Sequence, residues 1–357
     1  MEASFVYMPT FRVRVQELDL LKDFEFGPQI CPYIEIVREK DRPRKISFWE
    51  LYYSLILAIR SKSVFVDIPI HFRLATGTHP EVIKFLSPMR DVERRIQALL
   101  QLTKLTTPAK MIPVISSYHT LTGETGSIKK QVEKLRPSFS RLAFRITAKD
   151  PEFESEMDQV EPWITAADHL IVDFDEDHID LNSGQIKDIT SRLAAFTVCP
   201  VIILRSAIPN EITYKNFIND EEIPETDNRL LHQYKLLNAS AFGDYAGIKK
   251  DKLSKSGGNN EIVYGCIYYD GTNNTYYGFK GARPGYDEIK NTIIPMVKTS
   301  NATKRMQDSG LSLISDVNRG WKLLQNPTVG RPGDLKRVSM EHYVHCIKTL
   351  IEAGKFD

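Results

Sequence analysis

Three short apolar segments between residues 142 and 204 decide the fold: LAFRI at 142–146, HLIVDF at 169–174 and VIIL at 201–204. Each is mostly β-branched or apolar and lacks the polar alternation of a strand with one wet face. Each therefore predicts a strand buried on both faces, as in a parallel sheet. Stretches with helical spacing separate them, at Phe153–Ala166 and Ile186–Ala195. Strand, helix and strand in this order predict right-handed βαβ units.

The same alternation extends outward on both sides. Further strands are predicted at Phe5–Met8, Ile30–Val37, Val64–Ile68, Met111–Ser117 and Asn238–Phe242. Further helices are predicted at Val15–Asp23, Phe48–Arg60, Asp91–Leu105, Ile128–Leu135 and Asp227–Leu237. Eight strands suffice to close a (β/α)8 barrel of about 250 residues. The alternative is an open doubly wound sheet, but Met8-Pro9-Thr10-Phe11 is not the glycine-rich turn that such a sheet often places after its first strand. We predict an α/β fold with a TIM-barrel-like domain over residues 1–247.

The sequence changes character after this barrel. Lys249–Asn260 is polar and rich in lysine, which predicts a mobile loop at the domain edge. Glu261–Tyr269 and Thr275–Gly281 flank Asp270-Gly271-Thr272-Asn273-Asn274, a strong signal for a β-hairpin. Helices are then predicted at Asp287–Lys298, Lys304–Gln325 and Ser339–Ala353. We expect residues 248–357 to form a hairpin-plus-helix extension packed on the barrel.

Composition restricts the class of protein. The chain has 357 residues, 42% of them hydrophobic, with 47 basic and 46 acidic side chains. This near balance gives no overall positive field for non-specific binding to nucleic acid or to an anionic membrane. The N-terminal sequence lacks a secretory signal, and no apolar run of about 18 residues occurs, so we expect a cytoplasmic protein with no membrane partner. The four cysteines are widely scattered, which predicts plain thiols rather than a zinc site.

Polar residues follow several predicted strands, at the end where barrel enzymes keep their chemistry. They are Glu35, Asp67, Ser116, Ser117, His119, Arg145, Asp173, Asp175, Arg205, Asp244 and Tyr245. Burying an ionised group without a partner is costly, so strand-end charges must pair with each other, bind a ligand or hold a metal. We expect these side chains to share one pocket at the barrel mouth.

The chemical interpretation assigns roles within this set. Glu35, Asp67 and Asp173 are candidate catalytic carboxylates, and Asp67 and Asp173 are also candidate ligands for Mg²⁺ or Mn²⁺. His119 is the candidate proton donor or acceptor. The candidate ligand-binding residues are Arg145, Arg205, Asp244 and Tyr245, since arginine grips phosphate bidentately and the glycines of the Phe242–Gly247 turn let backbone amides approach an anion.

Two structural alternatives remain open at this point. The arginines and carboxylates can instead form closed ion pairs inside the barrel mouth, and the Phe242–Gly247 turn can simply lead out of the barrel. The aromatic hairpin around Tyr268 and Tyr276 suits either base stacking or half-buried packing, and packing is the commoner use. The sequence contains no Walker loop, no G-x-S-x-G, no H-E-x-x-H and no deaminase cysteine pair.

Six short segments carry a family resemblance. They are Tyr7–Pro9, Pro32–Ile36, Phe242–Tyr245, Tyr276–Gly281, Lys336–Arg337 and Glu341–Tyr343. Through them the chain resembles the phage beta-protein family, named for a T-even phage protein, over nearly its whole length. The resemblance implies a cytoplasmic protein encoded by phages or by mobile and defence loci. It carries over no catalytic residues.

Two functions of different classes follow. The first is a phage-associated or phage-defence protein that binds a nucleotide or nucleic acid at the barrel mouth, with metal-assisted phosphodiester hydrolysis as a further step. The second is a noncatalytic inhibitor or adaptor of a protein encoded beside it, with the C-terminal extension as its contact surface. A metabolic lyase or isomerase is a third reading that rests on fold analogy alone.

Overall fold

The computed structural model describes residues 5–37, 47–72, 77–103, 110–149, 151–250, 253 and 262–355. The strands up to residue 244 are β1 (Tyr7–Arg12), β2 (Tyr33–Glu35), β3 (Val64–Asp67), β4 (Met111–Ser116), β5 (Ala143–Thr147), β6 (His169–Asp173), β7 (Val201–Leu204), β8 (Glu221–Glu222) and β9 (Ala241–Asp244). All of these except β8 belong to one closed barrel of eight strands. The predicted barrel is confirmed, and the open sheet is excluded.

The first and last barrel strands close the ring. β1 pairs in parallel with β2 and with β9, so that Tyr7 lies opposite Phe242. β9 begins later than the predicted strand Asn238–Phe242 because Asn238 adopts a left-handed conformation, with φ of 55°, at the end of a 3₁₀ turn. β1 runs to Arg12 rather than ending at Met8, since its last residues include polar ones that an apolar pattern cannot find.

Helices surround the barrel. They are α1 (Val15–Asp23), α2 (Phe48–Ala58), α3 (Pro80–Leu86), α4 (Val92–Thr103), α5 (His119–Thr122), α6 (Ser127–Leu135), α7 (Glu152–Val160), α8 (Gly184–Ala195) and α9 (Leu230–Gln233). The short helices α3 and α5 were not predicted from the sequence. The predicted helix Asp227–Leu237 was too long, because only α9 and a following 3₁₀ turn form there.

Alternating residues along each barrel strand divide the core into two apolar clusters. Outward residues such as Phe11 and Ile203 pack with the surrounding helices. Inward residues such as Met8, Phe65 and Ile171 fill the barrel interior. Because the apolar filling occupies the inward positions nearer the strand starts, the inward positions at the carboxyl ends are left for polar side chains.

The C-terminal extension adds a hairpin and four helices. These elements are β10 (Gly265–Asp270), β11 (Thr275–Lys280), α10 (Ile294–Thr299), α11 (Asn301–Asp308), α12 (Arg319–Gln325) and α13 (Pro332–Glu352). A π-helical turn at Ile289–Ile293 precedes α10. The hairpin forms a sheet with β8, in the order β10, β11, β8. The predicted helix Lys304–Gln325 is instead two helices, since Gly310 has a φ of 70° that breaks it.

Helix α13 covers the edge of β10. Ser339 Oγ donates to the carbonyl of Ile267 at 2.7 Å, and His342 Nε2 donates to the carbonyl of Tyr269 at 2.8 Å. Burial lowers the pKa of His342 to about 3, so its ring stays neutral. The edge carbonyls are therefore satisfied within the chain and are closed to strand addition.

The aromatic residues of the hairpin are packed in the core. Their exposed fractions are all below one tenth, at Tyr264, Tyr268, Tyr269, Tyr276, Tyr277 and Phe279. The packing alternative is therefore correct for this hairpin, and its rings offer no surface to nucleic acid bases.

Four sequence predictions concern the rest of the chain. The four cysteines are buried free thiols. The predicted loop Lys249–Asn260 lies outside the described residues apart from Lys249, Lys250 and Leu253. Among the described helices, none combines the length and the apolar character needed to cross a bilayer. The boundary between residues 247 and 248 stays a prediction, and β8, which precedes it, pairs with the hairpin that follows it.

Candidate functional site

Five inward-facing polar side chains meet at the carboxyl ends of the barrel strands. Tyr33 and Glu35 come from β2, Asp67 from β3, Arg145 from β5 and Asp173 from β6. The first four are buried, and the Asp173 side chain is 13% exposed. The structure thus brings together five of the predicted site residues: the three carboxylates, Arg145, and Tyr245, whose hydroxyl lies 3.5 Å from Arg145 Nη2.

Arg145 stands at the centre of this group. Its Nη1 donates to Glu35 Oε1 at 2.8 Å and to Asp67 Oδ2 at 2.9 Å. Its Nε and Nη2 donate to Asp173 Oδ2 at 3.0 and 2.6 Å. The Tyr33 hydroxyl donates to Asp67 Oδ2 at 2.6 Å and accepts from Arg145 at 2.9 Å. One guanidinium therefore bridges three carboxylates.

Two further arginines complete the pairing, and the sequence analysis missed both. Arg12 Nε donates to Glu35 Oε2 at 2.6 Å. Arg95, which is fully buried on α4, donates from Nη2 to Asp67 Oδ1 at 2.7 Å and from Nη1 to Gln131 Oε1 at 2.7 Å. Both oxygens of Glu35 and of Asp67 are thus engaged by arginine. A signal existed for Arg95, since its spacing places it on the apolar face of α4.

The arginines keep the carboxylates ionised. Burial alone would raise the pKa of Glu35, yet Arg12 and Arg145 lower it to about 2. Burial is likewise outweighed at Asp173, whose pKa is lowered by Arg145 and Lys250. Charged groups this deeply buried are stable only when paired, and here they are.

Lys250 joins the group from the turn after β9. Its ammonium pairs with Asp175 and lies 5.2 Å from the centroid of the Tyr245 ring. Burial alone would lower the pKa of Lys250, but Tyr245 and Asp173 raise it, so the ammonium stays charged. We call the following set the mouth network: Arg12, Tyr33, Glu35, Asp67, Arg95, Arg145, Asp173, Asp175, Tyr245 and Lys250. Its four cations and four carboxylates balance.

The mouth network does not have the form of a metal site. Arg145 lies between Asp67 and Asp173 and donates to an oxygen of each, in the place a shared cation would need. Within the ranges that the structure describes, no group of three or more His, Cys, Asp or Glu side chains could hold a metal ion. The donor set therefore does not fit Mg²⁺ or Mn²⁺ bound by Asp67 and Asp173.

Asp244 faces away from the mouth, contrary to the expectation of one shared pocket. Its Oδ1 accepts from the Tyr7 hydroxyl at 2.7 Å, and its Oδ2 accepts from the hydroxyl of Tyr343 on α13. Burial raises the pKa of Asp244 to about 6, although these hydrogen bonds oppose the rise. Asp244 thus connects the barrel to the extension.

The turn that follows Asp244 is shaped by packing. Gly243 lies against Met8, and Gly247, with a φ of 69°, lies against the Tyr343 ring, where a β-carbon would collide. Gly243 thus allows close packing within the barrel, and Gly247 allows close packing between the barrel and α13. Of this segment, only Tyr245 reaches the mouth network.

Arg205 and His119 also lie outside the mouth network. Arg205 Nε donates to the carbonyl of Asp177 at 2.7 Å, and its Nη1 lies 3.1 Å from Asp227 Oδ2. His119 begins α5 with an exposed side chain, and its backbone N–H donates to Ser117 Oγ at 3.1 Å. The expectation that both share the pocket with the carboxylates is wrong, because Arg205 points outward and His119 lies on the surface.

A cavity of about 790 Å³ opens between the barrel and the extension. Its wall includes Lys250, which the cavity shares with the mouth network. The charged residues that line it are Arg14, Glu17, Lys249, Lys250 and Lys336. Four of these five described residues are basic, although Lys250 is paired with Asp175 and Lys336 with Glu17. The described wall therefore has more basic than acidic side chains.

The first turn of α13 also lines the cavity, through Pro332 and Gly333. The carboxylate of Asp334 in this turn accepts from the backbone N–H groups of Gly330 and Arg331, so this helix end already has an acidic partner. Apolar side chains, among them Ile248, Ile267 and Leu335, form other parts of the wall. The cavity therefore suits an anion that also carries less polar groups.

The family comparison covers both parts of the molecule. The family model described as Beta protein matches residues 7–347, from the start of β1 to within α13. No curated protein matches the chain. The matched range takes in the closed barrel, the mouth network and the wall of the cavity. The resemblance seen in the sequence is confirmed, and the chain belongs to the Beta protein family.

Proposed function

We propose that this protein binds a small phosphate-bearing ligand, of nucleotide size, in the cavity between the barrel and the extension. One observation carries the proposal: the described residues that line the cavity include four basic ones, Arg14, Lys249, Lys250 and Lys336, against one carboxylate, that of Glu17. The volume of about 790 Å³ lies within the range of about 300–1,000 Å³ that is usual for small-molecule sites.

In this proposal the mouth network has a positioning role. Its charges balance one another, so it has little net attraction for a further anion. It holds Lys250 through Asp175 and the Tyr245 ring, on the side where Lys250 also lines the cavity. The proposal therefore moves the ligand from the barrel mouth to the neighbouring cavity.

Hydrolysis has less support than binding. Asp67 and Asp173 are bridged by Arg145, and the expected proton carrier His119 is outside the mouth network. We therefore propose a binding protein, without a chemical step assigned to these residues. A cytoplasmic setting in phages or in phage-defence loci is part of the proposal, and the family resemblance supports it.

An adaptor role is the second candidate, and one surface favours it. A groove of about 260 Å³ next to β8 is lined by Glu221, Glu222 and Glu225, with Ile218 63% exposed beside them. An apolar groove with an acidic rim suits a basic segment of a partner protein. Stable co-purification of a neighbouring gene product, lost on Ile218→Glu, would favour this role.

The binding proposal is tested by titration calorimetry and thermal shift with AMP, inorganic phosphate and a short oligonucleotide. A ligand that binds only the folded state raises the melting temperature. We expect AMP to bind, more weakly at high salt, and the Arg14→Gln, Lys249→Gln double variant to bind at least tenfold more weakly.

The matched control is the Lys187→Gln, Lys322→Gln double variant, which removes two exposed lysines outside the cavity wall. It should bind AMP as the unmodified protein does. Absence of binding by all three probes, or an equal loss in both double variants, would rule out the cavity as a phosphate site.

A further inference from the structure

Asp244 lies where the barrel, the turn after β9 and helix α13 meet. Its side chain is buried, with 4% of the residue exposed. Its Oδ1 accepts from the Tyr7 hydroxyl of β1 at 2.7 Å and from the backbone N–H of Ala246 at 2.8 Å. Its Oδ2 accepts from the Tyr343 hydroxyl of α13. One buried carboxylate is thus hydrogen-bonded to the first strand, to the turn and to the last helix.

Ala246 has a backbone conformation that is uncommon for a residue with a side chain. Its φ is 52°, in the left-handed region, and Gly247 follows with a φ of 69°. A left-handed alanine costs free energy, so surrounding contacts must hold it in place. The hydrogen bond from the Ala246 N–H to Asp244 is such a contact. The next three residues, 248–250, line the cavity, so this turn determines where they lie.

The Tyr343 hydroxyl connects the same carboxylate to another part of the cavity wall. Tyr343 belongs to α13, and several residues between 332 and 339 of this helix line the cavity. The Tyr343 ring also packs closely against Gly247, in the turn itself. Asp244 therefore joins the two parts of the chain that carry residues 248–250 and the start of α13.

We infer that Asp244 is a positioning residue of the cavity, because its carboxylate holds the turn after β9 and helix α13 in a fixed relation to each other. This inference rests on the proposed function, since a ligand that contacts both parts of the wall depends on their separation. Asp244 is not among the described residues that line the cavity. It therefore acts through Ala246 and Tyr343 and not by touching the ligand.

Three variants test this role by titration calorimetry on the full chain, with the tightest-binding of AMP, inorganic phosphate and a short oligonucleotide. Asp244→Asn keeps an oxygen that can accept from the Ala246 N–H, so its affinity should stay within twofold of the unmodified protein. Asp244→Ala removes the acceptor and should bind at least tenfold more weakly. Adding Ala246→Gly to Asp244→Ala should recover at least threefold of that loss, because glycine adopts the left-handed conformation without support.

Asp168→Ala is the matched control for Asp244→Ala. Asp168 is also a buried carboxylate that accepts from backbone N–H groups, those of Leu142 and Thr165, but it lies outside the described cavity wall. Asp168→Ala should lower the free energy of unfolding and leave the affinity of the folded protein unchanged. A loss of stability alone is thereby separated from a loss of site geometry.

A second pair of variants leaves the carboxylate in place. Tyr343→Phe removes the hydrogen bond to α13, and Tyr7→Phe removes the one to β1, a strand with no residue in the described cavity wall. Tyr343→Phe should bind the same probe at least threefold more weakly. Tyr7→Phe should bind it within twofold of the unmodified protein.

Unchanged affinity in folded Asp244→Ala would overturn the inference and leave the proposed function standing. Equal losses in Asp244→Asn and Asp244→Ala, or no recovery on adding Ala246→Gly, would do the same. Absence of binding by all three probes to the unmodified protein would overturn both. If Asp244→Ala does not fold, the tyrosine pair decides, and equal affinities of Tyr343→Phe and Tyr7→Phe would overturn the inference.

Discussion

The mouth network and the cavity wall contain the same kinds of charged side chain but differ in how their charges are balanced. In the mouth network, arginine and carboxylate side chains are buried, paired and balanced in charge. Around the cavity, the described wall has four basic residues and one acidic residue, and two of the basic ones, Lys250 and Lys336, are paired with Asp175 and Glu17. Charged residues at strand ends are therefore not enough to identify a binding site. An excess of one sign around an empty volume is the more telling feature.

The comparison also separates two kinds of energetic consequence. A buried ion-pair network is weak evidence of stability in itself, but removing one member leaves the others charged and uncompensated. Exposed ion pairs contribute little, because water and salt screen them. Variants of mouth-network residues that do not line the cavity should therefore affect folding, whereas variants of cavity-wall residues outside the mouth network should affect binding.

The largest effect is expected for Arg145→Ala. This substitution leaves Glu35, Asp67 and Asp173 without their shared guanidinium, so the free energy of unfolding should fall by about 3–5 kcal/mol. Urea denaturation followed by circular dichroism measures the change.

Arg192→Ala provides the matched control for Arg145→Ala. Arg192 also lies near three carboxylates, those of Glu154, Asp158 and Glu161, but its side chain is 27% exposed. Its loss should cost about 1 kcal/mol or less. Similar losses in the free energy of unfolding for Arg145→Ala and Arg192→Ala would contradict the distinction between a buried network and surface ion pairs.

The fold was predictable because its signal is local. Apolar strand segments alternate with helical ones along the first 245 residues, and each segment is readable without its neighbours. The exact strand ends were not predictable, since β1 continues through polar residues and the left-handed Asn238 delays the start of the last barrel strand. Arg95 escaped notice because its contact with Asp67 joins a helix to a strand, and only the folded chain shows it.

The misplaced site residues follow from strand alternation. Leu204 and Tyr245 face the barrel interior, so the adjacent Arg205 and Asp244 must face outward. A one-residue change in strand register reverses every side chain, and the sequence alone left that register open. The cavity could not be predicted at all, because residues from α1, from the turn after β9 and from α13 form it together.

An effect of intermediate size is expected for the contribution of Glu35 to stability, which should depend on pH. Arg12 and Arg145 hold its pKa at about 2 in the folded chain, below the usual 4.5. Its contribution to stability, about 2–3 kcal/mol, is therefore present above about pH 4.5 and is lost as the pH falls towards 2.

Denaturation of the unmodified protein and of Glu35→Gln between pH 2.5 and 7 measures this contribution. The difference in unfolding free energy between the two should be greatest at neutral pH and should shrink in acid. A difference that stays constant with pH would mean that Glu35 is not held ionised by the arginines.

The smallest effect is expected at Glu156, a buried carboxyl on α7 just outside the mouth network. It is 2% exposed, and burial raises its pKa from 4.5 to about 7, because no arginine offsets the cost. Its stabilising contribution is therefore present below about pH 4.5 and is lost as the pH rises through about 7. Glu156→Gln keeps an acceptor for the Thr147 N–H, which lies 2.7 Å from Oε2, and cannot ionise.

We expect Glu156→Gln to be about 1 kcal/mol more stable than the unmodified protein at pH 8 and no more stable at pH 5. Glu154→Gln, on the exposed face of the same helix, should change stability by less than about 0.5 kcal/mol at either pH. Destabilisation by Glu156→Gln at both pH values would contradict this view. It would mean that Glu156 is ionised and held by a partner, so that isolation from the arginines does not distinguish it from Glu35.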